Sequence, residues 1–177
     1  MILDYNLSFN QSPLELAAEI AKPFEKCILK AYWDPVGYPT NGWGNLLLKK
    51  SRKSIMKELG LNDTEVDIWL QRTWPPISQE TADSDFLRNL NKAYASVKRL
   101  VKVKIDIYKT AALIDFAFNC GGGNLQASTL LKMVNRRDFI GASNEFIKWN
   151  KASGIVLRGL TRRANSRKMM FLRGDFI

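Results

Sequence analysis

The sequence contains no histidine. This absence excludes catalytic triads and general bases that depend on imidazole, and it removes nearly all ordinary zinc sites. The two cysteines, Cys27 and Cys120, are far apart and lack CxxC spacing. They can form one disulfide, but we favour free thiols that are mostly buried. Since no GxSxG sequence is present either, carboxylates must carry the chemistry if the chain is an enzyme.

Long apolar runs are also missing. No window approaches the roughly 18 apolar residues of a membrane-spanning helix, so no transmembrane segment is predicted. The first residues, MILDYNLSFN, contain Asp4 and have no basic stretch before an apolar run, which is not the pattern of a signal peptide. We therefore expect a protein that is made in the cytoplasm and that needs another agent to carry it elsewhere.

Positive charge dominates the composition. The 177 residues include 27 Lys and Arg against 17 Asp and Glu, a net charge of +10, while the hydrophobic content of 46% is ordinary for a globular domain. Such an excess favours a polyanionic partner, which can be nucleic acid, an anionic membrane surface or an anionic cell envelope. The basic run RGLTRRANSRK places Arg163 and Arg167 on one helical face, where a solvated basic surface is the commoner explanation.

Local signals predict an α+β domain. A helix should begin after Ser12, where Pro13 occupies the first turn and Glu15 favours the helix N-terminus. A β-hairpin is predicted from about residue 28 to 48, with a DPVG turn that needs a positive φ at Gly37. Helices should follow over SRKSIMKELG and NDTEVDIWLQRTW, then a long amphipathic helix from Ser78, an almost wholly apolar central helix over YKTAALIDFAFNCG, and three more over LQASTLLKMVNR, RDFIGASNEFIKWN and RGLTRRANSRKMMFL.

Within the predicted hairpin, two acids and a threonine are candidates for chemistry. Glu25 lies beside Phe24 and Cys27, where partial burial would favour a protonated carboxyl, and Asp34 lies at an open turn, where it should stay ionised. One protonated and one ionised carboxyl are what acid/base hydrolysis of a glycosidic bond requires. Thr40 can add a hydroxyl that holds water. On local sequence alone, a turn-capping aspartate and an ordinary strand threonine remain the favoured alternatives.

A longer pattern is much more specific than the pair of acids. The stretch resembles the active-site signature of the phage-type lysozymes, glycoside hydrolase family 24, which reads E-x-x-x-L-x-x-Y-x-D-x-x-G-x-x-T-x-G-x-G. The matching positions are Glu25, Leu29, Tyr32, Asp34, Gly37, Thr40, Gly42 and Gly44. The runs ALIDFAFNCGGGNLQASTLLK and GLTRRANSRKMMFL are similar to the central helix and the closing helix of the family, so the resemblance covers about residues 20 to 172.

The resemblance implies a lysozyme-like fold within one domain, residues 1–177. A small lobe at about 24–76 would carry the active-site hairpin, and a helical lobe at about 77–177 would be reached through a long helix, with the helix at about 12–22 packing near the helical lobe. Glu25 would be the general acid, Asp34 would activate the attacking water, and Thr40 would complete the site. Other implied residues are the supporting Arg163, placed against the catalytic glutamate, and the substrate-binding Leu46, Phe118, Thr129 and Asn144.

The implied reaction is cleavage of the β-1,4 bond between N-acetylmuramic acid and N-acetylglucosamine in peptidoglycan, with inversion and without a metal or organic cofactor. The implied protein is a monomeric phage endolysin that meets peptidoglycan and anionic envelope polymers after holin release, export or injection. Two positions depart from the family pattern, since Asn45 replaces a usual histidine and Lys26 a usual glycine. They leave open a second class, a peptidoglycan-binding relative with impaired catalysis. A third class is a basic nucleic-acid-binding protein, but the sequence contains no recognised nucleic-acid-binding motif.

Overall fold

The computed structural model describes residues 11–152 and 154–174. The helices are α1 (Pro13–Ala21), α2 (Arg52–Leu59), α3 (Asp63–Thr73), α4 (Gln79–Leu100), α5 (Ile107–Cys120), α6 (Gly122–Ala127), α7 (Thr129–Asn135), α8 (Phe139–Glu145) and α9 (Arg158–Arg173), with 3-10 turns at Lys22–Phe24 and Phe146–Lys148. The strands are β1 (Ile28–Trp33), β2 (Pro39–Gly42), β3 (Asn45–Leu46), β4 (Lys151–Ala152) and β5 (Ile155–Val156). The predicted α+β class is confirmed.

The chain forms two compact units. One contains the residues up to Phe24 together with those from Leu90 onward, and the other is Glu25–Asn89. Helix α4 begins in the second unit and ends in the first. No helix among the described residues is both long and apolar enough to cross a membrane.

The unit Glu25–Asn89 is built on an antiparallel sheet in the order β1-β2-β3. The predicted hairpin is confirmed, and Gly37 has the expected positive φ of 91°. The pairing of β1 with β2 is irregular between Ile28 and Tyr32. Within that irregularity, the Leu29 carbonyl accepts from the Ile77 N–H at 3.1 Å and the Ala31 carbonyl accepts from Gln71 Nε2 at 2.7 Å. Elements outside the sheet thus satisfy the carbonyls that β2 does not reach.

The other described unit is organised around α5, against which α1 and α9 pack. The prediction of a buried central helix is confirmed, because Ala111, Leu113, Ile114 and Phe116 are fully buried. The start of α1 is confirmed as well: Ser12 and Glu15 form a capping box, in which each side chain accepts from the other residue's backbone N–H.

In this unit one sequence prediction is wrong in detail and one element was missed. The stretch LQASTLLKMVNR was predicted as one helix, but Ser128 is extended and its side chain caps α7 at the Leu131 N–H, so α6 and α7 are separate. The strands β4 and β5 were not predicted. They form a short antiparallel ribbon before α9, with Gly154 at a φ of 80° between them.

The C-cap of α2 provides a clean measure of backbone strain. Gly60 has a φ of 67°, and a Cβ added there would meet nothing within 4 Å. We expect Gly60→Ala to lower the free energy of unfolding by about 1 kcal/mol, since the left-handed conformation is costly for any residue with a Cβ. The measurement is urea denaturation. Gly123→Ala is the control, because Gly123 is helical and its Cβ would also be unobstructed; an equal loss in both variants would contradict the explanation.

Candidate active site

Glu25 lies between the 3-10 turn Lys22–Phe24 and strand β1, where it is half-buried. Its carboxylate faces Gly44, since a Cβ built on Gly44 would stand 3.7 Å from Glu25 Oε2. Gly44 has a φ of 81°, which a residue with a side chain would adopt only with strain. The glycine therefore lets the β2–β3 turn approach the acid closely. The neighbouring Lys26 is exposed.

Asp34 follows β1 and holds the hairpin turn. Its Oδ1 accepts from the Val36 N–H at 2.9 Å and from the Tyr38 N–H at 2.8 Å, and its carbonyl accepts from the Gly37 N–H at 2.8 Å. The turn-capping interpretation of this aspartate is thus correct for one oxygen. In the described part of the chain, Oδ2 makes no hydrogen bond, so the second oxygen remains able to accept a proton from a ligand.

Thr40 occupies the middle strand, β2, between Tyr32 on β1 and Leu46 on β3. It is only 5% exposed, and its Oγ1 donates to the Tyr38 carbonyl at 3.2 Å. With its proton directed at that carbonyl, the hydroxyl presents its lone pairs to any other partner. The hydrogen bond to the Tyr38 carbonyl thus fixes the orientation of the Thr40 hydroxyl, and its role in the site stays a prediction.

These side chains surround one open pocket of about 500 Å³, lined by Tyr32, Asp34, Tyr38, Thr40, Gly44, Leu46 and Lys49. Three of the predicted site residues, Asp34, Thr40 and Leu46, line it directly. Glu25 is linked to it through Gly44. Sequence reasoning did not assign Tyr38 or Lys49 to the site, and nothing in the local pattern distinguishes them from ordinary turn and surface residues.

Tyr32 connects the two acids electrostatically. Burial raises the pKa of its phenol above the ordinary value of 10.0, and the negative charges of Glu25 and Asp34 raise it further. Both carboxylates are therefore close enough to act on the same hydroxyl, which remains protonated at neutral pH and able to donate a hydrogen bond. Tyr32 belongs to the resembled signature, but sequence analysis gave it no role.

Asn45, which replaces the usual histidine, has a structural function in this unit. Its Nδ2 donates to Asn41 Oδ1 at 3.3 Å and to Asp85 Oδ2 at 3.2 Å, while its Oδ1 accepts from Asn89 Nδ2 at 3.1 Å. The amide thus joins β3 to α4 through neutral and charge-assisted hydrogen bonds. The Asn45 amide carries no charge, and it uses both of its ends in hydrogen bonds.

The other predicted residues belong to the second unit. Phe118 is half-buried on α5, with its ring centroid 5.9 Å from the Arg163 guanidinium. Thr129 and Asn144 are exposed on α7 and α8, and Asn144 Oδ1 accepts from Lys168 Nζ at 2.8 Å. Their assignment to a sugar-binding cleft stays a prediction, as does the placement of Arg163 against the catalytic glutamate.

Arg163 and Arg167 do not form a solvated basic face. They are 3% and 0% exposed, and both bind the fully buried Asp115: Arg163 Nη2 lies 2.7 Å from Oδ1, and Arg167 Nε lies 2.5 Å from Oδ2. The sequence interpretation of this pair was wrong because the complementary acid lies 48 and 52 residues away in the chain. An acid within the apolar middle of α5, AALIDFAF, was the signal that could have revealed the partner of the two arginines.

Both cysteines are free thiols and both are half-buried. Cys27 Sγ donates to Gln79 Oε1 at 3.7 Å. Burial raises the pKa of the Cys120 thiol above its ordinary value of 9.0, with the nearby Arg167 opposing that effect. The preference for free thiols over a disulfide is confirmed.

The comparisons with known proteins agree on one family. The Phage lysozyme family model matches residues 22–167. The chain is 38% identical over 99 residues to an endolysin of Bacillus phage B103, a match that covers 56% of this chain and 38% of that protein. It is 29% identical over 156 residues to an endolysin of Acyrthosiphon pisum secondary endosymbiont phage 1, covering 86% of this chain and 92% of that protein.

A solved structure, the endolysin from Escherichia coli O157:H7 phage FAHEc1, has the same fold, with a TM-score of 0.70 at 23% identity over 93% of this chain and 96% of that one. The chain spans less than half the length of the Bacillus phage relative. The family assignment depends instead on the match of residues 22–167, which is most of the sequence and includes the hairpin with Glu25, Asp34 and Thr40. The chain belongs to the phage lysozyme family.

Proposed function

We propose that the protein is a muramidase that hydrolyses the β-1,4 bond between N-acetylmuramic acid and N-acetylglucosamine in peptidoglycan. The observation that carries the proposal is the open pocket within the unit Glu25–Asn89. Asp34 and Thr40 line this pocket, and the Glu25 carboxylate faces Gly44, which also lines it. Two carboxyl groups and an oriented hydroxyl around an open pocket are the parts that acid/base glycoside hydrolysis requires.

In the proposed reaction, Glu25 gives its proton to the glycosidic oxygen as the bond to the anomeric carbon breaks. A water molecule attacks that carbon from the opposite face, and its proton passes to Asp34 Oδ2, the oxygen that the turn leaves unused. Thr40 Oγ1 accepts a hydrogen bond from the same water. The anomeric configuration is inverted, which requires a carboxyl separation of roughly 6.5–9.5 Å.

The proposed substrate also gives the charge of the chain a role. At low ionic strength a net charge of +10 attracts the protein to peptidoglycan and to anionic envelope polymers. The burial of Arg163 and Arg167 on Asp115 weighs against the alternative of a nucleic-acid-binding helix, because those two arginines are not available at the surface. We further propose that the protein acts as a monomer on the cell wall, reached from the cytoplasm by holin release, export or injection.

The test is digestion of purified peptidoglycan by the native chain, followed by identification of the new reducing ends. We expect N-acetylmuramic acid at the reducing end, initially as the α-anomer, which follows inversion at a β bond. Reducing N-acetylglucosamine, or ends without reducing power, would contradict the proposed reaction. Binding without any cleavage would instead support the catalytically impaired relative.

The two oxygens of Asp34 allow the structural role of this residue to be separated from its proposed chemical role. In Asp34→Asn, the amide oxygen can still accept from the Val36 and Tyr38 N–H groups, but the side chain is no longer a base. We expect the rate of hydrolysis to fall by roughly 10²–10⁴ with the thermal midpoint nearly unchanged. Asp34→Ala should lose the activity and also about 1–2 kcal/mol of stability. Full activity in Asp34→Asn would show that Asp34 stabilises the turn and does not act as the base.

A further inference from the structure

The ribbon of β4 and β5 exposes an unusual run of aliphatic side chains. Ile155, Val156 and Leu157 are 66%, 55% and 43% exposed, although they are consecutive. Successive residues of a strand point to opposite sides, so a strand with one buried face would hide at least one of them. Both described residues of each strand are exposed. The run is therefore an apolar surface in contact with water, which has a free-energy cost in the isolated protein.

Cations border this run directly. Lys151 on β4 is the cross-strand partner of Val156, so its side chain emerges about 5 Å from that of the valine. Arg158 follows Leu157 and begins α9, and Arg162 lies one turn further along the helix. All three cationic residues are exposed. We call Lys151, Ile155, Val156, Leu157 and Arg158 the ribbon tip.

No carboxylate neutralises these three cations within residues 11–152 and 154–174. The buried arginines of α9 are occupied by Asp115, and Lys148 is paired with Glu145 at 2.5 Å, but Lys151, Arg158 and Arg162 have no ion-pair partner there. The sequence from Phe146 to Gly174 contains no acid at all, against eight cations: Lys148, Lys151, Arg158, Arg162, Arg163, Arg167, Lys168 and Arg173. The first turn of α9 also has no acidic residue and no side-chain cap, so the helix dipole adds to the positive potential.

We infer that the ribbon tip binds the surface of an anionic phospholipid bilayer. A membrane interface offers both components that the tip needs: negatively charged phosphate groups for the cations, and the boundary of the acyl chains for the aliphatic residues. A soluble polyanion or a nucleic acid would satisfy the cations but would leave the aliphatic run in water. The ribbon tip shares no residue with the Glu25 pocket, and the inference does not depend on the proposed hydrolysis.

Each component has an expected contribution to binding. A cation near an anionic membrane surface strengthens binding by about fivefold, so removing Lys151 and Arg158 together should weaken it by roughly 25-fold. Three partly inserted aliphatic side chains should contribute at least about tenfold. Binding should fall steeply with added salt, because the screening length decreases.

The experiment is co-sedimentation of the full chain with vesicles of phosphatidylglycerol and phosphatidylcholine, or of phosphatidylcholine alone, at low ionic strength. The test variant is Ile155→Ser/Val156→Ser/Leu157→Ser. The matched control is Leu59→Ser/Ile68→Ser/Leu87→Ser, which removes three aliphatic side chains that are 48%, 48% and 49% exposed in the other unit. A second variant, Lys151→Gln/Arg158→Gln, removes charge and keeps the aliphatic run. Circular dichroism checks that each variant is folded.

We expect the native chain and the control to bind anionic vesicles equally and neutral vesicles weakly, and both tip variants to lose at least about tenfold in affinity. Hydrolysis of purified, lipid-free peptidoglycan should be the same in all four proteins, so that a loss of vesicle binding is not caused by a change in the catalytic residues. If the aliphatic variant bound anionic vesicles as well as the native chain does, the inference would be overturned. Vesicle binding would then be explained by a general attraction between the chain, with its net charge of +10, and polyanions. Equal binding to neutral vesicles, or equal losses in the control, would overturn it as well.

Discussion

The Glu25→Gln variant should hydrolyse peptidoglycan at a rate roughly 10²–10⁴ lower than the native chain. The glutamine has nearly the same shape as the glutamate and can occupy the half-buried position beside Gly44. It has no acidic proton, so the glycosidic oxygen would leave without protonation. The rate is measured as the initial loss of turbidity of a cell-wall suspension and confirmed by counting reducing ends.

The adjacent residue supplies the control. Lys26 is exposed, and Lys26→Gln changes the charge by one unit while leaving Glu25 in place. We expect its rate to stay close to that of the native chain, since an exposed charge is largely screened at ordinary salt. If Lys26→Gln lost as much activity as Glu25→Gln, the effect would belong to the charge of the loop. If Glu25→Gln retained native activity, Glu25 would not be the general acid.

Binding measured on the same variants locates the loss of activity within the reaction. A general acid contributes to the transition state much more than to substrate binding, so Glu25→Gln should still sediment with insoluble cell walls as the native chain does. Loss of binding together with activity would point to a disordered hairpin instead. Asp34→Asn, which keeps the hydrogen bonds of its turn, should behave in the same way.

The hairpin was predictable because its signals are local. The turn residues Asp34 and Gly37 lie three positions apart, and the carboxylate, the positive φ and the turn hydrogen bonds all occur within residues 34–38. The irregular pairing of β1 was not predictable. It depends on hydrogen bonds from Gln71 and Ile77, which lie 40 and 48 residues from their acceptors Ala31 and Leu29. Helical or strand periodicity carries no information on such partners.

The division of α6 from α7 and the ribbon of β4 and β5 were missed for a different reason. Ser128 has no unusual neighbours in the sequence. The two helices are separate because Ser128 is extended and its side chain caps the N-terminus of α7. The strands of the ribbon are two residues each, which is too short for an alternation of polar and apolar residues to be recognised. The Ser-Gly dipeptide at 153–154 was the one available turn signal.

The largest expected effect on stability comes from Asp115, whose partners also could not be read from the sequence. Its two carboxylate oxygens accept hydrogen bonds from Arg163 Nη2 at 2.7 Å, from Arg163 Nε at 3.2 Å and from Arg167 Nε at 2.5 Å. All three side chains are buried. In Asp115→Asn the guanidinium of Arg167, which is fully buried, would lose the carboxylate that it binds, and Arg163 would lose two charge-assisted hydrogen bonds. We expect the free energy of unfolding to fall by about 3–5 kcal/mol, measured by urea denaturation.

An exposed ion pair gives the scale against which this loss is judged. Lys50 Nζ lies 2.7 Å from Glu58 Oε2, a distance equal to that of the buried Arg163 pair, but its side chains are 48% and 52% exposed. Glu58→Gln should cost at most about 1 kcal/mol. Similar losses in Glu58→Gln and Asp115→Asn would show that burial of the Asp115 cluster does not determine its contribution.

A double variant then distinguishes the attraction within the cluster from the cost of burying its charges. Arg167 Nη1 is buried and, among the described residues, has no hydrogen-bond partner, so this guanidinium is incompletely satisfied even in the native chain. Removing it in Asp115→Asn/Arg167→Met should restore part of the stability lost in Asp115→Asn, because the buried charge of Arg167 is gone and an apolar side chain takes its place. The double variant should therefore be more stable than Asp115→Asn alone. The single variant Arg167→Met completes the comparison. If the stability losses of Asp115→Asn and Arg167→Met simply added in the double variant, the penalty would not arise from an unpaired buried charge, and Asp115 would stabilise α5 through packing.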